Sequence, residues 1–216
     1  MKRAFGLYEW LGPLGLTPLA AWAWWRVGGG RADVAALAVL VPVIHGYVVP
    51  AIGTNVLKVW GFTTRLRIGA IRPQHGFVFG SATAVLVAGL FAALGPDAGL
   101  AARAGGTAAL LLAVNWIYDA LAIRHGVLVV RNQCWADGRS EWAVAGDYVV
   151  WFFGLFGLIH GALLHLAMQH MAGDAMLWIA GGAAATMLGP TLAYIAASRL
   201  RHGHSGCRPM ERSVGA

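Results

Sequence analysis

Charge is what this chain has least of. Only 12% of its 216 residues are Asp, Glu, Lys or Arg, against about 25% in soluble domains. So few charges cannot cover a water-facing surface, which excludes an ordinary soluble domain. Cysteine is nearly absent too. Cys134 and Cys207 are the whole complement and neither sits in a C-x-x-C pair, so neither a disulfide framework nor a cysteine zinc site is expected. The familiar catalytic signatures are also missing. There is no H-E-x-x-H or H-x-x-H-H box, no G-x-x-x-x-G-K-[ST] phosphate loop, no G-x-S-x-G elbow and no D-x-x-x-D pair for a magnesium diphosphate. No lysine lies deep in an apolar stretch, as a retinal attachment would need. His160, His165 and His170 recur every five residues, which turns each by about 140° on a helix. That spacing does not form the i, i+4 pair of a helical metal site. His45 is isolated, and His202 and His204 fall near the end. No metal and no cofactor are expected.

What is present is apolar length. Hydrophobic residues make up 58% of the chain and the mean hydropathy is +0.64. A membrane span takes about 20 largely apolar residues. Six segments meet that length, at 7–27, 34–59, 76–94, 104–123, 147–169 and 175–197. The expected fold is an all-α integral membrane bundle of six transmembrane helices. A single transmembrane domain is expected over 1–200, with a polar, mobile cytoplasmic tail over 201–216. The Met1-Lys2-Arg3 start could mimic a signal peptide. Glu9, Pro13, Pro18 and the Trp22–Trp25 cluster instead favour a retained first span. No internal repeat stands out.

The basic residues sort between the two sides of such a bundle. Lys2, Arg3, Lys58, Arg65, Arg67, Arg72, Arg124, Arg131, Arg139, Arg199, Arg201, Arg208 and Arg212 fall on one side, and Arg26, Arg31 and Arg103 on the other. Thirteen against three places both ends in the cytoplasm by the positive-inside rule, in a multi-pass protein of the cell membrane. In a soluble protein the net charge of +7 would suggest nucleic acid. Here the charges lie in short connections, so the expected partners are anionic membrane lipids, with no nucleic acid. Oligomeric state is not legible. The loop after the second segment alternates basic and apolar residues and reads as interfacial. The loop after the fourth holds β-branched Val127–Val130 and an Asp137-Gly138 turn signal, which predict a short hairpin or lid. Gly76-x-x-x-Gly80 and Gly157-x-x-x-Gly161 predict close helix contacts. Pro42 and Pro50 bracket His45 and predict an irregular second span.

Asp119 is the outstanding polar residue. It lies within an apolar segment, where a carboxylate at a helix centre costs about 2.5–3.5 kcal/mol to insert. Such residues mark sites or ion pathways. Asn115, Tyr118 and Asp119 share one helical face. Asp147, Trp151, Gly154, Leu158 and His165 share another on the next helix. Asn55, Lys58, His75 and Glu9 fall at about the same depth. Glu9 and Asp147 are shallow enough to serve instead as solvated or capping residues. A pair of carboxylates in unlike surroundings suits acid/base chemistry. The leading expectation is therefore a membrane enzyme acting on a hydrophobic small molecule, lipid or isoprenoid-like, at the cytoplasmic leaflet by cofactor-free isomerisation or cyclisation. Asp119, Asp147 and His75 would be its catalytic residues. Asn115, Tyr118, Trp116, Trp151 and Asn55 would bind substrate. The alternatives are a small proton-coupled transporter and a non-catalytic assembly protein.

Overall fold

A backbone in lipid must satisfy its own hydrogen bonds, so apolar length becomes helix. The protein is described here by a computed structural model that covers residues 2–63, 67–133, 139–171 and 173–210. It consists of six helical rods. They are α1 (Lys2–Val27), α2 (Ala32–Ala51, prolonged by a π-helical turn at Ile52–Val56), α3 (His75–Leu94) and α4 (Leu100–Arg124), then α5 (Glu141–Val149) running through a π-helical stretch (Val150–Leu155) into α6 (Phe156–His170), and α7 (Ala175–His202). The chain is thus an all-α, multi-pass membrane bundle. Five rods are long and apolar enough to cross a membrane. The sixth, α1, has the length, but Glu9, Pro13, Pro18 and four tryptophans dilute its apolar residues and it is not among the five.

Small residues set the crossings. A Cβ on Gly80 of α3 would sit 2.7 Å from the Val43 backbone nitrogen of α2. A Cβ on Gly157 of α6 would sit 2.8 Å from the Thr107 carbonyl of α4, and one on Gly161 2.7 Å from the Thr107 hydroxyl. Both expected glycine pairs therefore lie at helix contacts. The helices α3, α2, α7, α6 and α4 form a ring, and α1 packs outside it against α2 and α3. The Trp22–Trp25 cluster divides. Trp24 is fully buried and its indole N–H donates to the Ala84 carbonyl at 2.8 Å, whereas Trp22 and Trp25 face outward.

With six successive rods, the short connections after α1, α3 and α6 lie on one face of the bundle and the long connections after α2 and α4 on the other. Two of the three arginines on the short-loop face are bound into the fold. Arg31 donates to the carbonyls of Ala167 at 3.2 Å and Met171 at 2.6 Å, at the end of α6. Arg103 is buried and donates to Gly95 and Pro96 at 3.1 and 3.0 Å, just past α3. Met171 and Gly95 are the C-cap residues of α6 and α3, whose carbonyls a helix end leaves without intrahelical partners.

The two long loops are joined to each other. The Val127–Val130 stretch forms a strand. Strand β2 (Leu128–Val130) pairs antiparallel with β1 (Trp60–Phe62) from the first long loop, with Trp60 opposite Val130. Trp-Gly-Phe offers the aromatic residues that a strand favours. The Asp137-Gly138 turn and Cys134 lie outside the described residues. The first long loop tucks Phe62, Ile71 and Arg72 inward. The expected tail is also partly structured. Helix α7 runs through residue 200 to His202, where Gly203, with φ 75°, ends it in a left-handed cap. The chain then returns to the second loop. The Met210 amide donates to the Arg131 carbonyl at 2.8 Å, and the Asn132 side chain donates to the Gly206 carbonyl at 2.7 Å. Residues 211–216 lie outside the described residues.

Candidate functional site

Between the ring helices lies a cavity of about 370 Å³, in the long-loop half. Helix α4 supplies the polar centre. Asn115, Tyr118 and Asp119 stand at i, i+3 and i+4 and all three line the cavity. Asp119 is 8% exposed and accepts a 2.8 Å hydrogen bond from the Tyr148 hydroxyl of α5. The Asn115 amide donates back to the Leu111 carbonyl at 2.8 Å. Among the described lining residues Asp119 is the sole carboxylate, and there is no Lys, Arg or Glu.

His75, the first residue of α3, lines the same cavity with its ring 4.8 Å from that of Phe62. Its Nδ1 is buried without a hydrogen-bond partner. The preceding turn is anchored from outside the cavity. Arg72 is 1% exposed, lies 3.9 Å over the Phe62 ring and pairs with Glu9 of α1 at 2.8 Å. Glu9 is thus a buried ion-pair partner, not a solvated residue. Its role is to fasten the first long loop onto α1, which sets the position of His75 and Phe62.

Other residues expected at the site stand elsewhere. Asp147 and Trp151 do share a face, but it is turned toward the end of α7. There Asp147 meets His202 at 3.1 Å and Arg201 at 3.6 Å, while Arg201 lies 5.6 Å over the Trp151 ring. Asp147 is buried, so it is not solvated either. Neither it nor Trp151 lines the cavity. Trp116 points outward, half-exposed, with its indole N–H donating to the Trp142 carbonyl at 2.9 Å. Asn55 is exposed and its side-chain oxygen accepts from the Ala70 amide at 2.7 Å, which shapes the first long loop.

The structure also brings in residues that the sequence did not single out. Tyr148 is one residue from Asp147, and the roughly 100° turn between neighbours gives the cavity to the tyrosine. Phe152 and Phe153 reach the cavity from the π-helical stretch, a distortion often found at functional sites. His45 lines the cavity with its ring 5.8 Å from that of Phe79 and its Nδ1 unpartnered. The bracketing prolines were the signal for it. Tyr194 of α7 and Asn132, joined by a 3.0 Å hydrogen bond, close the long-loop end together with Gly206 and Cys207.

Chemically, the arrangement is a proton donor or acceptor held by a tyrosine, two imidazoles and an amide in a largely apolar, aromatic chamber. Among the described residues no three His, Cys, Asp or Glu side chains converge to hold a metal ion. Comparison with family models, curated proteins and solved structures finds no match to this chain.

Proposed function

We propose that the protein is a membrane enzyme that isomerises or cyclises a lipid or isoprenoid-like substrate by proton transfer, without a cofactor. One observation carries the reading. Asp119 is the only carboxylate among the described residues lining a largely apolar and aromatic chamber, and Tyr148 orients it. Asp119 in its acid form gives its proton to a carbon–carbon double bond of the substrate, leaving a carbocation and a carboxylate. The faces of Tyr118, Phe79 and the neighbouring rings stabilise the cation. A proton then leaves an adjacent carbon to the Asp119 carboxylate, or to His75, which passes it back to Asp119, and a new double bond forms. Atoms and charge balance, and the product is an isomer of the substrate. Asn115 and Tyr118 position the reacting carbon against Asp119.

The orientation belongs to the same proposal. The thirteen-to-three division of basic residues supports a long-loop face in the cytoplasm, with both ends there, in the cell membrane. Fixing Arg31 and Arg103 at helix ends strengthens it, because those two charges have a structural reason to lie on the opposite side. The substrate would then be met in the cytoplasmic leaflet. A proton-coupled transporter is the other reading of a membrane carboxylate, and an assembly protein would need no chamber.

The test works without naming the substrate in advance. Purified protein is reconstituted with a bacterial lipid extract in heavy water, and hydrophobic compounds are screened by mass spectrometry for deuterium gained at carbon. Proton transfer predicts a deuterated isomer pair with wild-type protein and none with Asp119→Asn, which keeps the shape of the side chain. Equal deuteration by both proteins, or none by either, sinks the reading.

A further inference from the structure

The chamber's walls differ in what they face. Its long-loop end is covered by the β1–β2 ribbon and the returning chain, through Trp60, Phe62, Val130, Asn132, Gly206 and Cys207. The bundle side is different. Val48 and Ile52 of the α2 rod and Leu188 of α7 line the chamber and are also exposed, at 38%, 46% and 61%. The two helices touch on the short-loop side of that place, where a Cβ on Gly182 would lie 3.3 Å from the Val41 side chain. Val48 and Leu188 lie about 10 Å further toward the long-loop face at 1.5 Å per residue. Pro50 and the π-helical turn at Ile52–Val56 follow on one helix and Pro190 on the other. Each proline removes a backbone donor and bends its rod.

We infer that the chamber is open sideways to the bilayer between α2 and α7, and that its ligand is an uncharged lipophile already dissolved in the membrane. Val48, Ile52 and Leu188 at that opening are apolar, so a hydrocarbon chain passes them without losing hydrogen bonds. A phosphate or carboxylate would have to give up its water with no cation to receive it, since none of the described lining residues is Lys or Arg. This inference rests on the Asp119 chamber being the substrate site, and it narrows the substrate to molecules without an anionic group.

The route is tested by a thiol placed deep in the chamber. Thr83 lines it and is 2% exposed. Thr83→Cys is made in a Cys134→Ser, Cys207→Ser background and reconstituted in phosphatidylcholine vesicles. Uncharged N-octylmaleimide is compared with a sulfonated maleimide supplied to both faces. The introduced thiol is expected to react at least about tenfold faster with the uncharged reagent, because a sulfonate loses its hydration on the way in. Adding Leu188→Trp at the opening should slow the octyl reagent several-fold. Leu177→Trp, on the same helix but away from the chamber, should not. Should Leu188→Trp fold poorly, Ile52→Trp fills the opposite lip. Equal reaction with the sulfonated reagent, no reaction with either, or indifference to both tryptophans overturns the inference. Labelling does not require chemistry, so repeating it on Asp119→Asn separates failure of this route from failure of the acid/base reading.

Discussion

Glu9→Gln should be among the most damaging conservative changes in this protein. Glu9 and Arg72 pair at 2.8 Å with side chains only 11% and 1% exposed. A guanidinium stays charged at any accessible pH, so removing the carboxylate strands a cation inside the fold. Breaking a buried pair from one side costs about 3–5 kcal/mol. The Phe62 ring, 3.9 Å from the guanidinium, contributes up to about 2 kcal/mol at a desolvated site, but that contact exists already and cannot grow. The expected loss is therefore about 3–5 kcal/mol, read from unfolding of the purified protein in mixed detergent by tryptophan fluorescence. Replacing both partners with apolar residues of similar size, Glu9→Leu with Arg72→Met, should recover most of it, because such replacement is often neutral or stabilising. The pattern also carries a functional consequence. The single change frees the loop that holds Phe62 and His75 against the chamber, so proton transfer should fall with stability. A cost for Glu9→Gln of about 1 kcal/mol or less, the range of exposed pairs, would refute the claim that this pair is buried and anchors the site.

Asp119→Asn should lower deuterium incorporation by about 10²–10⁴-fold, the usual contribution of a positioned acid or base, while the unfolding midpoint stays close to wild type. Tyr148→Phe removes the hydroxyl that donates to Asp119 and should cost about 1–3 kcal/mol in stability, with a smaller loss of turnover than Asp119→Asn. Asp147→Asn and Trp151→Phe act at the end of α7, so the ratio of their turnover to that of wild type should stay near one wherever the protein folds. A loss matching that of Asp119→Asn would place them in the chemistry after all. Gly157→Leu forces a side chain against the Thr107 carbonyl. It should destabilise the α4–α6 contact by about 1–3 kcal/mol or more, which thermal unfolding in detergent will report.

Sequence alone determined the class of this protein, because hydrogen-bonding in lipid leaves a long apolar segment little choice but helix. It also placed Asn115, Tyr118 and Asp119 together, since i, i+3 and i+4 geometry is local to one helix and needs no neighbour. The glycine pairs were legible for the same reason. Which helical face meets which neighbour was not. Asp147 and Tyr148 differ by one residue and about 100° of rotation. Only the docking of α5 against α4 decides that the tyrosine reaches Asp119 while the carboxylate turns to His202 and Arg201. The same holds for Glu9, whose partner Arg72 is a loop residue distant in sequence, and for β1 and β2, whose pairing spans two separate loops. Long-range pairings depend on bundle packing that brings their segments together, and a periodicity carries no information about that. The polar end after α7 read as a tail because composition counts polar residues without seeing their partners. Tertiary structure gave Gly206 and Met210 those partners, in Asn132 and Arg131, and so made Gly206 and Cys207 part of the chamber wall.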